Sequence, residues 1–252
     1  RSVMKRIKMI MPVPMPATAL SAFEAQIPES LRRSDLAVDF VAVREGARIL
    51  DSYYETTLAD AFVLEAGATA EDEGYDAVCI NSMSDSGLAA LRSRLSIPVV
   101  GPGQSCLAMA CMLGHRFSII TMWDQWRHLY SKVVPEQGMG HRLASVRTID
   151  VRPDAHELLA GKEEIVFAKL EAESLAAIGE DGAEVIVIGS TTMHQSYEYL
   201  RSRLDVPVLN PGLISLKLCE MLLDLELSHS KHAYPSPETL NDAVLSGIPP
   251  VF

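Results

Sequence analysis

Two serines stand at matched positions where an α/β protein would carry out chemistry. Ser82 follows the apolar run 77–81, and Ser190 follows the apolar run 185–189. In parallel α/β sheets, ligands bind at the carboxyl ends of the strands, where loops and helix N-termini converge. Both hydroxyl groups are therefore candidate catalytic groups, with the alternative that each serine only caps the helix that follows it.

The turn after each serine supplies backbone N–H groups and short side chains. Such N–H groups, together with the dipole of the following helix, can hold a carboxylate or an enolate oxygen. The polar residues among them are also suited to helix capping, so the two interpretations stay open. The candidate substrate-binding residues of the two turns are Met83, Ser84, Asp85, Thr191 and Thr192.

A serine that acts as a nucleophile needs a base close to its hydroxyl group. His194 lies four residues after Ser190, near the start of a predicted helix, and is the candidate base. In that mechanism, one serine attacks a carbonyl while the N–H groups of the other turn stabilise the oxyanion. The alternative is that His194 is an exposed or capping histidine.

The elements that carry the two serines occur twice in the chain. Residues 74–82 parallel residues 182–190 at an offset of 108, and residues 91–99 parallel residues 200–208 at an offset of 109. One inserted residue accounts for the change of offset. A Pro-Gly pair follows in each copy, at 102–103 and at 211–212. The duplication predicts two similar Rossmann-like lobes related by a pseudo-twofold axis.

Apolar runs alternate with helical patterns along the chain, which predicts an α/β fold with parallel sheets covered on both faces. The predicted strands are 7–12, 36–43, 77–81, 99–100, 117–121, 146–149, 185–188 and 208–209. The predicted helices are 56–73, 104–113, 163–179, 193–204 and 213–225. We expect one lobe from 4–103 and 213–252, a second from 104–212, and the active site in the cleft between them. The tail from Ser228 is predicted to be irregular.

Composition limits the partners of this protein. The formal charge of −11 argues against nucleic acid and anionic membranes, since both require a basic face. With 48% apolar and 22% charged residues, wholesale disorder is excluded. The stretch 9–20 is too short and too proline-broken for a membrane helix, and it is interpreted as a buried first strand rather than a signal peptide.

The cysteine and glycine patterns predict a cytoplasmic protein without cofactors. All four cysteines lie in apolar contexts, which suits reduced thiols in the cytoplasm. The histidines of the tail lack metal-ligand spacing, so no metal is expected. The pairs Gly101–Gly103 and Pro211–Gly212 lack a dinucleotide or phosphate-loop fingerprint, so no nucleotide cofactor is expected.

Four stretches resemble the aspartate/glutamate/hydantoin racemase superfamily, and within it the hydantoin-racemase-like branch. Segment 81–88 is similar to the first catalytic loop of that family, in which a Cys stands three residues before an Asp and a Gly-Leu pair comes after the Asp. Segment 182–193 is similar to the second catalytic loop. Ser82 and Ser190 stand where the family usually has its two cysteines. The four stretches are 46–55, 81–88, 97–104 and 182–193.

The resemblance implies cofactor-independent chemistry at the carbon next to a carbonyl, in a small carboxylate or a cyclic amide such as a hydantoin ring. In the family, one thiol removes the proton and a second thiol returns it from the opposite face. The resemblance also implies a homo-oligomer. It adds Tyr54, from the first of the four stretches, to the substrate-binding candidates. Pro12 and Gln104 join them, at positions where the family usually has other residues.

Serine departs from the family pattern at both catalytic positions. A thiol has a pKa of about 8.5 in peptides, whereas a serine hydroxyl holds no useful anionic population without a dedicated base. Either both serines replace cysteines in a chain altered to trap a substrate, or this branch uses serine for other chemistry, as Pro12 and Gln104 favour. Three functions stay open: a racemase or isomerase, a serine-nucleophile hydrolase or ring-opening enzyme, and a non-catalytic small-ligand binder.

Overall fold

The computed structural model describes residues 3–153 and 163–249, and the chain divides into two compact units. One unit comprises Arg1–Gly101 and Ser215–Phe252, and the other comprises Pro102–Ile214. The predicted domains, 4–103 with 213–252 and 104–212, stay a prediction.

The first unit is built on a four-stranded parallel sheet in the order β2-β1-β3-β4. Its strands are β1 (Lys5–Met11), β2 (Leu36–Ala42), β3 (Ala77–Ile80) and β4 (Val99–Val100). Its first three helices are α1 (Ala17–Glu24), α2 (Tyr53–Ala68) and α3 (Leu88–Arg94).

Both faces of this sheet are buried, which explains the near-continuous apolar runs of β1 and β3. Ile10 and Ile80 pack on one face with Phe62 of α2. Their chain neighbours Met9 and Cys79 belong to a second cluster on the opposite face, because side chains alternate along a strand. The two clusters form the core of the first unit.

The second unit repeats the same sheet with the order β6-β5-β7-β8, and all of its neighbouring strands are parallel. Its strands are β5 (Phe117–Thr121), β6 (Leu143–Thr148), β7 (Val185–Ile188) and β8 (Val208–Leu209). Its helices are α4 (Pro102–Leu113), α5 (Arg127–Glu136), α6 (Glu163–Gly179) and α7 (His194–Arg201). Helix α8 (Pro211–Asp224) begins here and ends in the first unit, which also contains α9 (Ala243–Ser246).

The duplicated sequence corresponds to duplicated topology. In each unit the third strand is paired on both sides, β3 with β1 and β4, and β7 with β5 and β8. The strand order relative to the chain is the same in both sheets. The predicted fold class, α/β with two similar parallel sheets, is confirmed. Along residues 3–153 and 163–249, no helix is both long and apolar enough to span a membrane.

Four helices of the described residues were missed by the sequence prediction, namely α1, α3, α5 and the four-residue α9. Helix α1 begins directly after Pro16, where a row of prolines had suggested only a broken apolar stretch. Helix α3 has only seven residues, and α5 contains Pro135 near its end. Short or proline-containing helices give weak periodic patterns, since the apolar stripe extends over too few turns.

Between residues 229 and 249 the tail is irregular apart from α9, as predicted. It packs on the end of α3, whose last carbonyl groups have no partners within the helix. Lys231 Nζ donates to the carbonyl oxygens of Arg92 and Ser93 at 2.8 and 2.9 Å. The His229 ring lies 2.9 Å from the carbonyl oxygen of Leu95. The tail therefore caps the C-terminus of this helix, because it contacts the carbonyl oxygens there.

Candidate active site

Ser82 lies two residues beyond β3, in a buried chain of three hydroxyl groups. Its Oγ donates to Ser86 Oγ at 3.0 Å and accepts the backbone N–H of Ser86 at 3.2 Å. Ser86 Oγ in turn lies 3.0 Å from Ser84 Oγ. All three side chains are buried. The backbone N–H is the kind of donor that would stabilise negative charge on Ser82 Oγ.

Asp85 is a buried carboxylate packed against the end of the neighbouring strand. It adopts a left-handed backbone conformation with φ of 51°, which Asp tolerates better than most residues. A Cβ at Gly101, the residue after β4, would overlap the Asp85 carboxylate, so only glycine leaves the space that this side chain occupies. Gly87 directly precedes α3, so neither Ser84 nor Asp85 is the capping residue of this helix.

Ser190 lies two residues beyond β7, at the position equivalent to that of Ser82. It precedes a short 3-10 turn formed by Thr191–Met193, and its Oγ accepts the N–H of Thr192 at 3.2 Å. The Thr192 hydroxyl lies 2.8 Å from the same oxygen. Ser190 is partly exposed, whereas Ser82 is buried. Ser190 thus has the hydrogen bond of a capping serine, and the same bond aims an N–H at its oxygen.

Tyr130 of α5 holds the backbone next to Ser190. Its hydroxyl donates to the carbonyl oxygen of Gly189 at 2.5 Å and lies 2.9 Å from Thr121 Oγ1. Burial raises the pKa of Tyr130 well above its ordinary value, so the hydroxyl keeps its proton. A Cβ at Gly189 would lie 2.5 Å from the tyrosine oxygen, which explains why this strand end has glycine.

His194, the first residue of α7, is bonded to Asn210 and not to the serine. Asn210 Nδ2 lies 2.8 Å from His194 Nδ1. Among the described residues, no hydrogen bond joins His194 to Ser190. Partial burial lowers the pKa of His194, an effect that the charge of Glu198 partly offsets, and this favours the neutral imidazole. The predicted role of His194 as a base for Ser190 therefore stays a prediction.

The other predicted site residues range from buried to largely exposed. Met83 and Thr191 are buried in the turns after β3 and β7. Pro12 is buried directly after β1, and Tyr54 is 75% exposed in the first turn of α2. Gln104 Nε2, in α4, donates to Gln137 Oε1 at 2.8 Å. Their contacts with a substrate stay predictions.

Four residues that shape the strand ends were absent from the sequence prediction. They are Ser86, Gly101, Tyr130 and Asn210. The internal repeat holds a signal for two of them, because Asn210 and Gly101 are equivalent at the offset of 109 and both directly precede a Pro-Gly pair. Tyr130 has no such signal, since a tyrosine in an amphipathic helix is ordinary core.

The strand ends carry hydroxyl groups, and the thiols lie elsewhere. Cys79 and Cys219 are fully buried in the core of the first unit. A hydrogen bond with Cys79, and then burial, raise the pKa of Cys219, so this thiol stays protonated. Within residues 3–153 and 163–249, no cluster of three His, Cys, Asp or Glu side chains could hold a metal ion.

Comparison with known proteins identifies the class of enzyme. The family model for Asp/Glu/hydantoin racemase matches residues 17–219. A hydantoin racemase from Pseudomonas sp. (strain NS671) is 32% identical over 216 residues, covering 83% of this chain and 84% of that protein. The chain belongs to the Asp/Glu/hydantoin racemase family, and it is an isomerase of the racemase type.

Two solved structures of allantoin racemases are also similar to this chain. The allantoin racemase from Klebsiella pneumoniae has a TM-score of 0.84 at 26% identity and covers 94% of this chain and 95% of its own. The allantoin racemase from Pseudomonas fluorescens has a TM-score of 0.83 at 26% identity, covering 94% and 98%. The family resemblance predicted from the four sequence stretches is confirmed.

Proposed function

We propose that this enzyme moves the proton on the carbon next to a carbonyl in a small cyclic amide of the hydantoin type. The hydantoin racemase and allantoin racemases that it resembles match most of both chains, which supports this substrate class over an unrelated small carboxylate. Proton transfer at such a carbon can run on side chains and backbone N–H groups alone, so the proposal includes no cofactor. It also places the enzyme in the cytoplasm as a homo-oligomer.

One observation carries this proposal: the equivalence of Ser82 and Ser190. Each lies two residues beyond a strand paired on both sides, and each Oγ accepts a turn N–H at 3.2 Å. Inverting a carbon requires one group that removes a proton and another that returns it from the opposite face. In the proposal, the two serines are these groups.

The turns would bind the oxygen atoms of the substrate. When the proton leaves, the carbonyl oxygen gains enolate character, and hydrogen-bond donors aimed at it stabilise the transition state more than the ground state. The proposed substrate-binding residues are Met83, Ser84, Asp85, Thr191, Thr192, Gln104, Pro12 and Tyr54.

Serine makes this proton transfer slow, which yields a sharp test. One N–H per hydroxyl stabilises an alkoxide only in part, whereas a thiol with a pKa near 8.5 reaches its anion readily. We expect the double variant Ser82→Cys/Ser190→Cys to exchange the substrate proton at least about 100-fold faster than the unchanged chain, since a matched acid–base group contributes about this much.

The experiment follows solvent deuterium uptake and loss of optical rotation together, on a panel of chiral hydantoins and amino acids. Ser202→Cys, at an exposed position at the end of α7, controls for the addition of a thiol. Exchange by neither the unchanged chain nor the double variant would refute the proposal for that panel. Ring opening by the unchanged chain, abolished by Ser190→Ala, would establish the hydrolase instead.

A further inference from the structure

His194 and Asn210 make the second strand end chemically different from the first. At the offset of 109, Asn210 is equivalent to Gly101, and His194 lies in the turn that corresponds to residues 83–87, which contain no histidine. The first turn therefore has a hydroxyl chain and a glycine where the second has an imidazole and an amide. The turn after Ser190 therefore offers a substrate hydrogen-bonding groups that the turn after Ser82 lacks.

Asn210 makes two hydrogen bonds at once, and together they orient its amide group. It directly precedes α8, and its Oδ1 accepts the N–H of Leu213 at 3.3 Å, as a capping asparagine does. Because Oδ1 faces the helix, the NH2 group faces His194. Asn210 Nδ2 then donates to His194 Nδ1 at 2.8 Å. The asparagine is 5% exposed, so little water competes for these bonds.

This contact determines where the imidazole carries its proton. A neutral imidazole has one N–H and one acceptor nitrogen, and Nδ1 must be the acceptor if Asn210 donates to it. The proton is therefore on Nε2. In the part of the chain that the structure describes, no residue hydrogen-bonds to Nε2, and the side chain is half-buried beside the Ser190 turn.

We propose that Asn210 is a positioning residue that holds His194 as the Nε2–H tautomer, and that Nε2–H donates to a carbonyl oxygen of the substrate. The second part rests on the proposed function, because it is the enolate oxygen that gains charge as the proton leaves. A neutral imidazole donor strengthens its bond to that oxygen in the transition state. His194 is then an electrophile and not the base of a serine nucleophile.

Asn210→Asp tests the tautomer without removing the helix cap. Aspartate caps helices as well as asparagine does, so α8 keeps its N-terminal bond. Its second carboxylate oxygen can only accept, so it draws the imidazole proton to Nδ1. In the full chain labelled with ¹⁵N-histidine, long-range proton–nitrogen spectra should show Nε2–H in the unchanged protein and Nδ1–H in the variant. Loss of the signal in His194→Gln assigns it.

Activity measurements on His194 variants distinguish two roles of this residue, donation of a hydrogen bond and transfer of a proton. A glutamine amide can accept from Asn210 and donate at the Nε2 position, but it cannot exchange protons at neutral pH. We expect His194→Gln to retain hydantoin proton exchange within about tenfold. His194→Leu and Asn210→Asp should lower kcat by about 10- to 100-fold with a smaller change in KM, as expected for loss of a donor to a developing charge.

Each failure has a distinct signature. An unchanged tautomer in Asn210→Asp, or Nδ1–H in the unchanged chain, would overturn the role of Asn210. Equal losses in His194→Gln and His194→Leu would overturn donation and favour proton transfer. If no hydantoin is exchanged, the proposed function fails, and titration of 5-methylhydantoin into the labelled chain decides the donor: a downfield shift of the His194 Nε2–H supports it, and no shift overturns it.

Discussion

At the scale of single residues, the two candidate catalytic serines differ in their surroundings despite equivalent positions. Ser82 belongs to a buried hydroxyl chain that ends at Ser84, whereas Ser190 is partly exposed and shares its hydrogen bond with Thr192. Each hydroxyl receives one backbone N–H. Within residues 3–153 and 163–249, neither serine is hydrogen-bonded to a histidine or a carboxylate, which is why substitution by cysteine is the informative change.

Gly189 should be intolerant of any side chain. A Cβ there would lie 2.5 Å from Tyr130 Oη, 2.8 Å from Thr121 Cβ and 3.0 Å from the carbonyl oxygen of Ile120. We expect Gly189→Ala to lower the free energy of unfolding by about 1–3 kcal/mol, the usual range for overpacking a dense site. Urea denaturation measures this change.

Gly140→Ala is the matched control, because a Cβ at Gly140 meets nothing within 4 Å. Equal stability of the two alanine variants would show that the contact between Tyr130 and Gly189 is looser than the structure has it. Since Gly189 directly precedes Ser190, its substitution should also displace the second turn. Reduced proton exchange at a temperature where the variant is still folded would report this displacement.

At the scale of secondary structure, polar contacts join elements whose apolar faces are already buried. Ser52 caps α2 by accepting the N–H of Glu55 at 3.3 Å. The Glu55 carboxylate in turn accepts the N–H groups of Arg48, Ile49 and Leu50. A sequence prediction that starts this helix at residue 56 misses its first turn, because these bonds depend on a preceding loop that folds back.

Arg147 links the edge strand β6 to the end of α6. It bonds to Asp181 at 2.6 Å and also contacts Glu173 and Glu180. The Arg147 hydrogen bond lowers the pKa of Asp181 to about 2 in the folded chain. An unfolded aspartate has a pKa of about 3.9, so the ionised carboxylate stabilises the fold above that pH and loses this effect as the pH falls toward 2.

The stability difference between the unchanged chain and Asp181→Asn should therefore depend on pH. We expect the unchanged chain to be more stable from pH 7 to pH 5, and the difference to shrink progressively as the pH falls from about 4. Urea unfolding at pH 7, 5, 4 and 3 measures it. Asp205→Asn, at an exposed position of the same unit, is the control, and a difference that grows on acidification would contradict the assignment.

At the scale of the whole molecule, helix α8 completes the core of a sheet whose strands lie in the first 100 residues of the chain. Leu216 and Cys219 of α8 pack with Met9 and Cys79 of the first sheet. Lys217 Nζ donates to the carbonyl oxygen of Leu31 at 2.6 Å, across 186 residues of sequence. The first unit therefore consists of two segments that are distant in sequence, one before and one after the residues of the second unit.

Leu216→Ala should destabilise the first unit strongly. Leu216 is 2% exposed, and truncation of a buried leucine costs about 2–5 kcal/mol because a cavity remains. Met221→Ala, on the same helix but at a residue 46% exposed, should cost much less. Denaturant unfolding of both full-length variants checks the contrast, and equal effects would contradict the packing of α8 on this sheet.

The amino-acid sequence by itself determined the fold class, the duplication, the order of the strands along the chain and the family. These features depend on apolar periodicity and on short motifs, both of which are local in sequence. It also indicated Ser82 and Ser190, because the end of a buried strand can be recognised from its composition. Short helices such as α3 escaped, since seven residues carry too little periodic signal.

Only the tertiary structure decided which side chains meet at the strand ends. Tyr130 bonds the carbonyl of Gly189 across 59 residues, and Asn210 bonds His194 across 16. The Asp85 carboxylate occupies the space that Gly101 leaves open. Such contacts depend on the directions of side chains from separate elements, and no local pattern encodes those directions. The tautomer of His194 follows from such a contact, so it could be inferred only once the chain was folded.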